Sequence, residues 1–236
     1  MERAKILVWD LPLRVFHWLL ALSFAGAFLT AESERVRDVH VTLGYTFVGL
    51  LAFRLVWGVI GSRYSRFASF AFGPRAVLAY LRSLQAGRPA HHVGHNPAGS
   101  WVIYAMILLG IVAGTAGHAV YNDVGGRWLE SLHEGSANAM LALVMVHVAG
   151  VAVGSFAHRE NLAVAMVTGY KTGRPSEAIG GTRPVTAVAL VSIVLLLWSG
   201  VLEVPSLSTG TADAATARGG DRPHSSSPSH RRGHDG

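Results

Sequence analysis

Five stretches of this 236-residue chain, at 12–30, 40–61, 99–120, 134–156 and 184–202, are apolar for long enough to cross about 30 Å of hydrocarbon, which takes roughly 20 helical residues. A backbone in lipid must satisfy its own hydrogen bonds, so each stretch is predicted to be a helix. Composition agrees. Half the residues are hydrophobic and 14% are charged, against roughly a quarter charged in an ordinary soluble domain. A soluble enzyme, a disordered protein and a coiled coil are excluded on that ground. The first stretch outruns a signal-peptide core and no clear cleavage pattern follows it, so it is expected to be retained. There is no cysteine, which excludes disulfides, thiolate metal sites, iron–sulfur clusters and haem attached through a CxxCH motif.

Charge sets the expected topology. With the N-terminus in the cytoplasm, the inner segments hold twelve Lys and Arg residues and the two outer loops hold three, Arg35, Arg37 and Arg127. That asymmetry follows the positive-inside rule. The net charge of +6 is therefore read as topology, with no nucleic-acid partner. Segment 73–85 places Val77, Leu78 and Leu81 with Arg75 and Arg82, and predicts a short amphipathic helix on the cytoplasmic surface. From Pro205 the chain is rich in Ser, Gly, Pro and His and is expected to be a disordered periplasmic tail. The expected fold is all-α and membrane-embedded, a four-helix transmembrane bundle plus one extra C-terminal transmembrane helix. Its divisions are 1–175, 176–204 and 205–236.

Ionisable side chains inside membrane spans are costly and mark function. Four histidines fall in or at the ends of three spans. His17 lies near the inner start of the first and His40 opens the second on the outer side. His133 and His147 belong to the fourth. They are 14 residues apart, about 21 Å along a helix and about 40° short of four full turns, so they share one face. Each then has a partner at matching depth, His40 for His133 and His17 for His147. Two imidazole pairs across a bundle are what two bis-histidine haems need. A flat porphyrin also needs small neighbours. Gly44, Ala21 and Ala137 each follow a histidine by four residues, and Gly150 and Gly154 follow His147; Leu143 breaks the pattern. Gly110, Gly114 and Gly117 on the third span belong to packing beside the site.

Arg54, in the second span, has two readings: a partner for haem propionates, or an anchor reaching to the interface. Arg14, Arg35 and Arg37 are weaker candidates of the first kind. His91, His92 and His95 (AHHVGHNPAGS) read as a turn into the third span, with a metal site the lesser reading. His118 is placed to hydrogen-bond near the outer site. His158 lies just past the fourth span. His224, His230 and His234 fall in the tail, where adventitious metal binding is the most they offer.

These motifs resemble a known family. WDLPLRVFHWLLALSF, HVTLGYTFVGLLAFRLVWGVIGSRYSRF, GHNPAGSWVIYAMILLGIVAGTAG and HEGSANAMLALVMVHVAGVAVGSFAHRENLAVAMVTGYK, in that order, are similar to the four helices of the bacterial cytochrome b561 / Ni,Fe-hydrogenase b-type cytochrome family. The resemblance covers about residues 5–175. It implies two non-covalent b haems, ligated by His17–His147 and His40–His133, in the bacterial inner membrane. It implies respiratory electron transport between a periplasmic partner, a c-type cytochrome or a hydrogenase-like enzyme, and the quinone pool or another carrier. With both axial positions filled, no independent catalytic site is expected. Two other classes compete: a histidine-dependent metal or proton transporter, and a non-redox anchor subunit. Asp10, Glu32, Glu34, Asp38 and Glu134 all stand at or beyond span ends, which leaves a proton path poorly furnished.

Overall fold

The computed structural model describes residues 4–200; the predicted tail lies outside them. The chain opens with a short strand, β1 (Ala4–Leu7), and enters α1 (Leu11–Thr30). Asp10 caps α1 by accepting from the Leu13 amide at 2.8 Å, and Pro12 suits the first turn, where no amide partner is needed. A 3-10 turn at Glu34–Val36 leads into α2 (Arg37–Ile60). The amphipathic α3 (Pro74–Gln85) forms where the pattern predicts it. Helix α4 (Pro97–Tyr121) starts at Asn96, whose side chain accepts from the Gly99 amide at 2.7 Å. Helix α5 (Arg127–His158) follows, then the short α6 (Leu162–Thr168), strand β2 (Tyr170–Gly173) and α7 (Pro184–Trp198).

Among the described residues four helices are long and apolar enough to cross a membrane, Leu11–Thr30, Glu34–Ile60, Pro97–Tyr121 and Arg127–His158. The predicted fifth span corresponds to α7, which is apolar but only 15 residues long within the described chain. At 1.5 Å per residue that is about 22 Å, short of a full crossing. It lies against α1 and touches α2, where the Trp198 indole donates to Thr46 at 3.0 Å. Helices α1 and α2 pair, as do α4 and α5, and α2 joins the pairs by packing on α4. Large apolar side chains point outward; Phe156 is 89% exposed and Leu29 83%. That is the surface lipid requires and water would not tolerate.

The sequence pattern did not announce the structure at one end of the bundle. Strands β1 and β2 pair antiparallel, Ala4 opposite Gly173 and Leu7 opposite Tyr170. The Val8 and Trp9 amides both donate to the Gly169 carbonyl at 2.9 and 3.1 Å. Gly169 ends α6 at φ +89°, and a Cβ there would stand 2.8 Å from the Trp9 carbonyl, so both conformation and space demand glycine. The larger buried core lies at this sheet end, built from Ile6, Val8, Trp9, Leu13, Phe16 and Trp57 with Leu50, Ala165 and Leu190. A smaller one, Phe47, Leu51 and Met140, lies between α2 and α5.

Candidate haem site

The bundle brings the four transmembrane histidines together in two pairs. The ring centres of His17 on α1 and His147 on α5 are 6.4 Å apart, their planes inclined at 51°. Those of His40 on α2 and His133 on α5 are 6.1 Å apart, with planes at 88°. A metal–nitrogen bond of about 2 Å, with each nitrogen about 1.2 Å from its ring centre, sets two imidazoles on opposite sides of one metal about 6.4 Å apart. Both pairs fit that separation. Spacing alone does not single out a haem site, since the surface residues His91 and His158 are also 6.0 Å apart. The transmembrane pairs add a shared helix, a 14-residue interval and an apolar bundle.

The far pair is oriented by backbone. At the end of α1 the Ala31 amide turns back to the Phe28 carbonyl, which frees the Ala27 carbonyl from its helical partner. His40 Nδ1 donates to that carbonyl at 2.8 Å. His133 Nδ1 donates to the Ala113 carbonyl of α4 at 2.9 Å. A mid-helix carbonyl is normally shielded by the residue four further on. Here that residue is Gly117, and a Cβ on it would stand 2.8 Å from the His133 ring. Because carbonyls only accept, both rings carry their proton on Nδ1. Each is left with an Nε2 lone pair, the tautomer a metal ligand needs.

Space divides the candidate small residues into two groups. A Cβ on Gly44 or Gly150 would meet nothing within 4 Å. On Gly110 it would meet Leu51 at 2.7 Å, on Gly114 Val48 at 2.5 Å, and on Gly154 Leu162 at 3.1 Å. Gly44 and Gly150 therefore leave room beside the histidines, while the other three are seams between helices. His118 bonds to the Tyr45 hydroxyl at 2.9 Å, beside Gly44 at the far end.

The sheet end is polar and crowded. Asp10 is fully buried, and beyond capping α1 it accepts from the Trp57 indole at 3.2 Å and from the Ser65 hydroxyl at 2.9 Å. Arg54 is 3% exposed, so it does not reach out to the interface. Its guanidinium donates to the Ser65 carbonyl at 3.0 Å and lies 4.5 Å over the Phe67 ring and 5.7 Å over Phe70. Lys171 is also buried and donates to the His92 carbonyl at 3.2 Å. Burial holds its ammonium below the usual lysine range, opposed by Glu160.

Sequence reasoning placed His95 in a turn, and its inward packing was missed. The ring is wedged between Trp9 and Phe70, at 4.8 and 4.4 Å, within electrostatic reach of His147 and His17. Burial, and then the Arg54 charge, push its pKa down to about 3. The signal was the Asn-Pro that follows, which starts α4 at that point and fixes His95 at the depth of the sheet end. Among the described residues no three His, Asp or Glu side chains stand close enough to hold a metal ion, so the HxxxH of His91 and His95 finds no third ligand.

Residues 8–169 match the prokaryotic cytochrome b561 family, about two-thirds of the chain. The chain is 22% identical to a probable Ni/Fe-hydrogenase B-type cytochrome subunit of Rhizobium leguminosarum bv. viciae, over 75% of this chain and 93% of the relative. It is 26% identical to a protein of the same description from Cupriavidus necator, over 70% and 86%. Against the probable Ni/Fe-hydrogenase 1 B-type cytochrome subunit of Escherichia coli K12 the identity is 25%, over 49% and 60%. No solved structure matches the chain. The chain belongs to the prokaryotic cytochrome b561 family: it is a membrane protein of the b-type cytochrome class, associated with haem b and electron transport.

Proposed function

We propose that the chain is a two-haem electron carrier of the bacterial inner membrane, with His17 and His147 the axial ligands of one haem b and His40 and His133 those of the other. One observation carries the reading: two imidazole pairs, each at metal-bridging separation, stand 14 residues apart on one face of α5. Haem b, when bound, would supply a one-electron iron couple, and His17, His147, His40 and His133 would hold it. The chain's own residues bind and orient it. His40 and His133 offer Nε2 because backbone carbonyls hold their Nδ1 protons. Gly44 leaves space for a flat ring, and the bundle keeps water out. Arg54 supplies a fixed positive charge at the sheet end, which favours the reduced state of a nearby centre.

Residues 1–175 form the haem-binding unit, and α7, within 176–204, braces α1. The excess of Lys and Arg at the sheet end supports a cytoplasmic position for that end and for the N-terminus. The two ends then serve different partners. A periplasmic redox enzyme, of the hydrogenase kind named for the relatives, or a c-type cytochrome, docks near His40 and His133. Quinone or a second carrier is served nearer the sheet end. Pyridine haemochrome analysis of the purified chain is expected to count two b haems, with a reduced-minus-oxidised spectrum of b type. His40→Ala is expected to count one; a His40→Ala protein with two full haems overturns the assignment.

A further inference from the structure

The buried polar atoms left without partners point to a second function of the sheet end. Three such side-chain atoms occur among the described residues: Arg14 Nε, His17 Nδ1 and His95 Nδ1. All three are at this end, and none is at the far pair. Native proteins rarely leave buried donors unpaired, and each exception calls for a missing partner. Arg14 lies one helical turn from His17 on the same side of α1. One of its terminal nitrogens donates to the Val167 carbonyl. His95 is half-buried as a residue, but its Nδ1 is sealed from solvent.

The charge balance tells what kind of partner is missing. Arg54 and Lys171 are buried, and Arg14 is half-buried. Among the described residues the one ion pair is Arg174–Glu177, at the surface. The two carboxylates near these cations are already engaged. Asp10 accepts from Leu13, Trp57 and Ser65, and Glu160 accepts from the Thr172 amide at 2.6 Å. A buried cation left without a partner is strongly destabilising. The site therefore calls for an anion with more than one acceptor group, placed beside His17.

We infer that His95 and Arg14 hold the propionate carboxylates of the haem bound between His17 and His147. The inference rests on the haem-ligation reading above. It assigns the two residues a positioning role: His95 Nδ1 and Arg14 Nε each donate to a carboxylate oxygen. Arg54 stays with the 61–70 loop, one aromatic layer behind, where Phe70 separates it from His95. Lys171 adds positive charge within electrostatic reach of His95. An anionic lipid headgroup offers the same acceptor chemistry, and the test separates the two.

The test compares His95→Leu, His95→Asn and Arg14→Met in the haem-loaded full-length chain. Leu fills the aromatic slot without a donor, whereas the Asn side-chain amide places a donor close to the position of Nδ1. Three readouts are taken: haems per chain, the two midpoint potentials, and the propionate bending band in resonance Raman spectra. In His95→Leu and Arg14→Met one haem is expected to become harder to reduce, its reduced-to-oxidised ratio at fixed ambient potential falling about three- to tenfold. The propionate band of that haem shifts, the other haem is unchanged, and His95→Asn recovers most of the shift. Unchanged potentials and band in both deletions overturn the inference. So does an equal change in His95→Leu and His95→Asn, which marks a packing role, or a potential shift without movement of the propionate band, which marks a lipid anion. Failure of the underlying reading looks different: His17→Ala then keeps both haems.

Discussion

The two histidine pairs are held in opposite ways. At the far end, backbone carbonyls of α1 and α4 fix both rings through Nδ1. At the sheet end, His17 Nδ1 has no hydrogen-bond partner among the described residues, and His95 stands within electrostatic reach of both rings, toward the end that holds the buried Asp10, Arg54 and Lys171 and the larger hydrophobic core. The far site is set before anything binds. The sheet-end site is incomplete in its own hydrogen bonding, and on the reading proposed above an anionic cofactor completes it. One helix, α5, thus carries one histidine of a pre-set pair and one of a pair that a ligand finishes.

The sharpest way to break this comparison is to remove one ring from each pair. His133→Ala and His147→Ala are each expected to lower the haem count from two to one while circular dichroism keeps its helical signal. The difference lies in what remains. Losing the far haem leaves the sheet end folded by its own core. Losing the sheet-end haem leaves buried cations unbalanced, so His147→Ala is expected to unfold at a lower temperature in detergent than His133→Ala. Equal melting temperatures would erase the distinction.

Asp10→Ala comes next. It deletes an N-cap and the acceptor for Trp57 and Ser65 in one step. The cost is about 3 kcal/mol, from a lost cap and two buried donors left unpaired. Haem loss on mild heating is expected to begin at the sheet-end centre, read as the first midpoint potential to vanish in a redox titration.

Gly117→Ala is a smaller change aimed at the other end. Its methyl would overlap the His133 ring at 2.8 Å and cover the Ala113 carbonyl. The ring must tilt and its Nδ1 bond lengthens, for about 1 kcal/mol. The far-end haem is expected to bind less completely or with a changed low-spin signal in electron paramagnetic resonance. The sheet-end haem should be indifferent; if both signals change, the two sites are not independent.

How far these features could be read from sequence depends on whether they are periodic. The four spans were legible because lipid imposes one pattern over about 20 residues. The histidine pairs were legible because a 14-residue interval fixes both depth and face on one helix. The carbonyl clasps were not, since they depend on where α1 frays and on which glycine uncovers a neighbour. Arg54 shows the same limit: sequence gave its depth, but its seat over Phe67 depends on how loop 61–70 folds back. The β1–β2 pair joins residues about 165 apart with no local signature. His95 looked like a turn residue because it is one; only tertiary packing turns it toward His17.

The smallest expected effect concerns acid, and it belongs to the sheet end alone. His92 lies between Phe72 and Tyr80, facing His91, His158 and Lys171. Burial, and then these neighbouring cationic groups, hold its pKa below the ordinary 6.5. The folded state therefore binds fewer protons than the unfolded chain once pH falls below about 6.5, so stability is full above that value and declines beneath it. The His92 share of the slope is well under the ~1.4 kcal/mol per pH unit of one fully linked proton, because the half-exposed ring is screened. Hydrogen exchange of the 86–96 loop is expected to quicken between about pH 7.5 and about pH 5.5 beyond the intrinsic rate change, while the turn at 122–126 does not. His92→Gln removes this share and should lessen the response, while the inward-packed His95 in the same loop, with its lower pKa, keeps the larger share. A loop that opens equally in both proteins would mean that His92 has no share in the acid sensitivity of the sheet end.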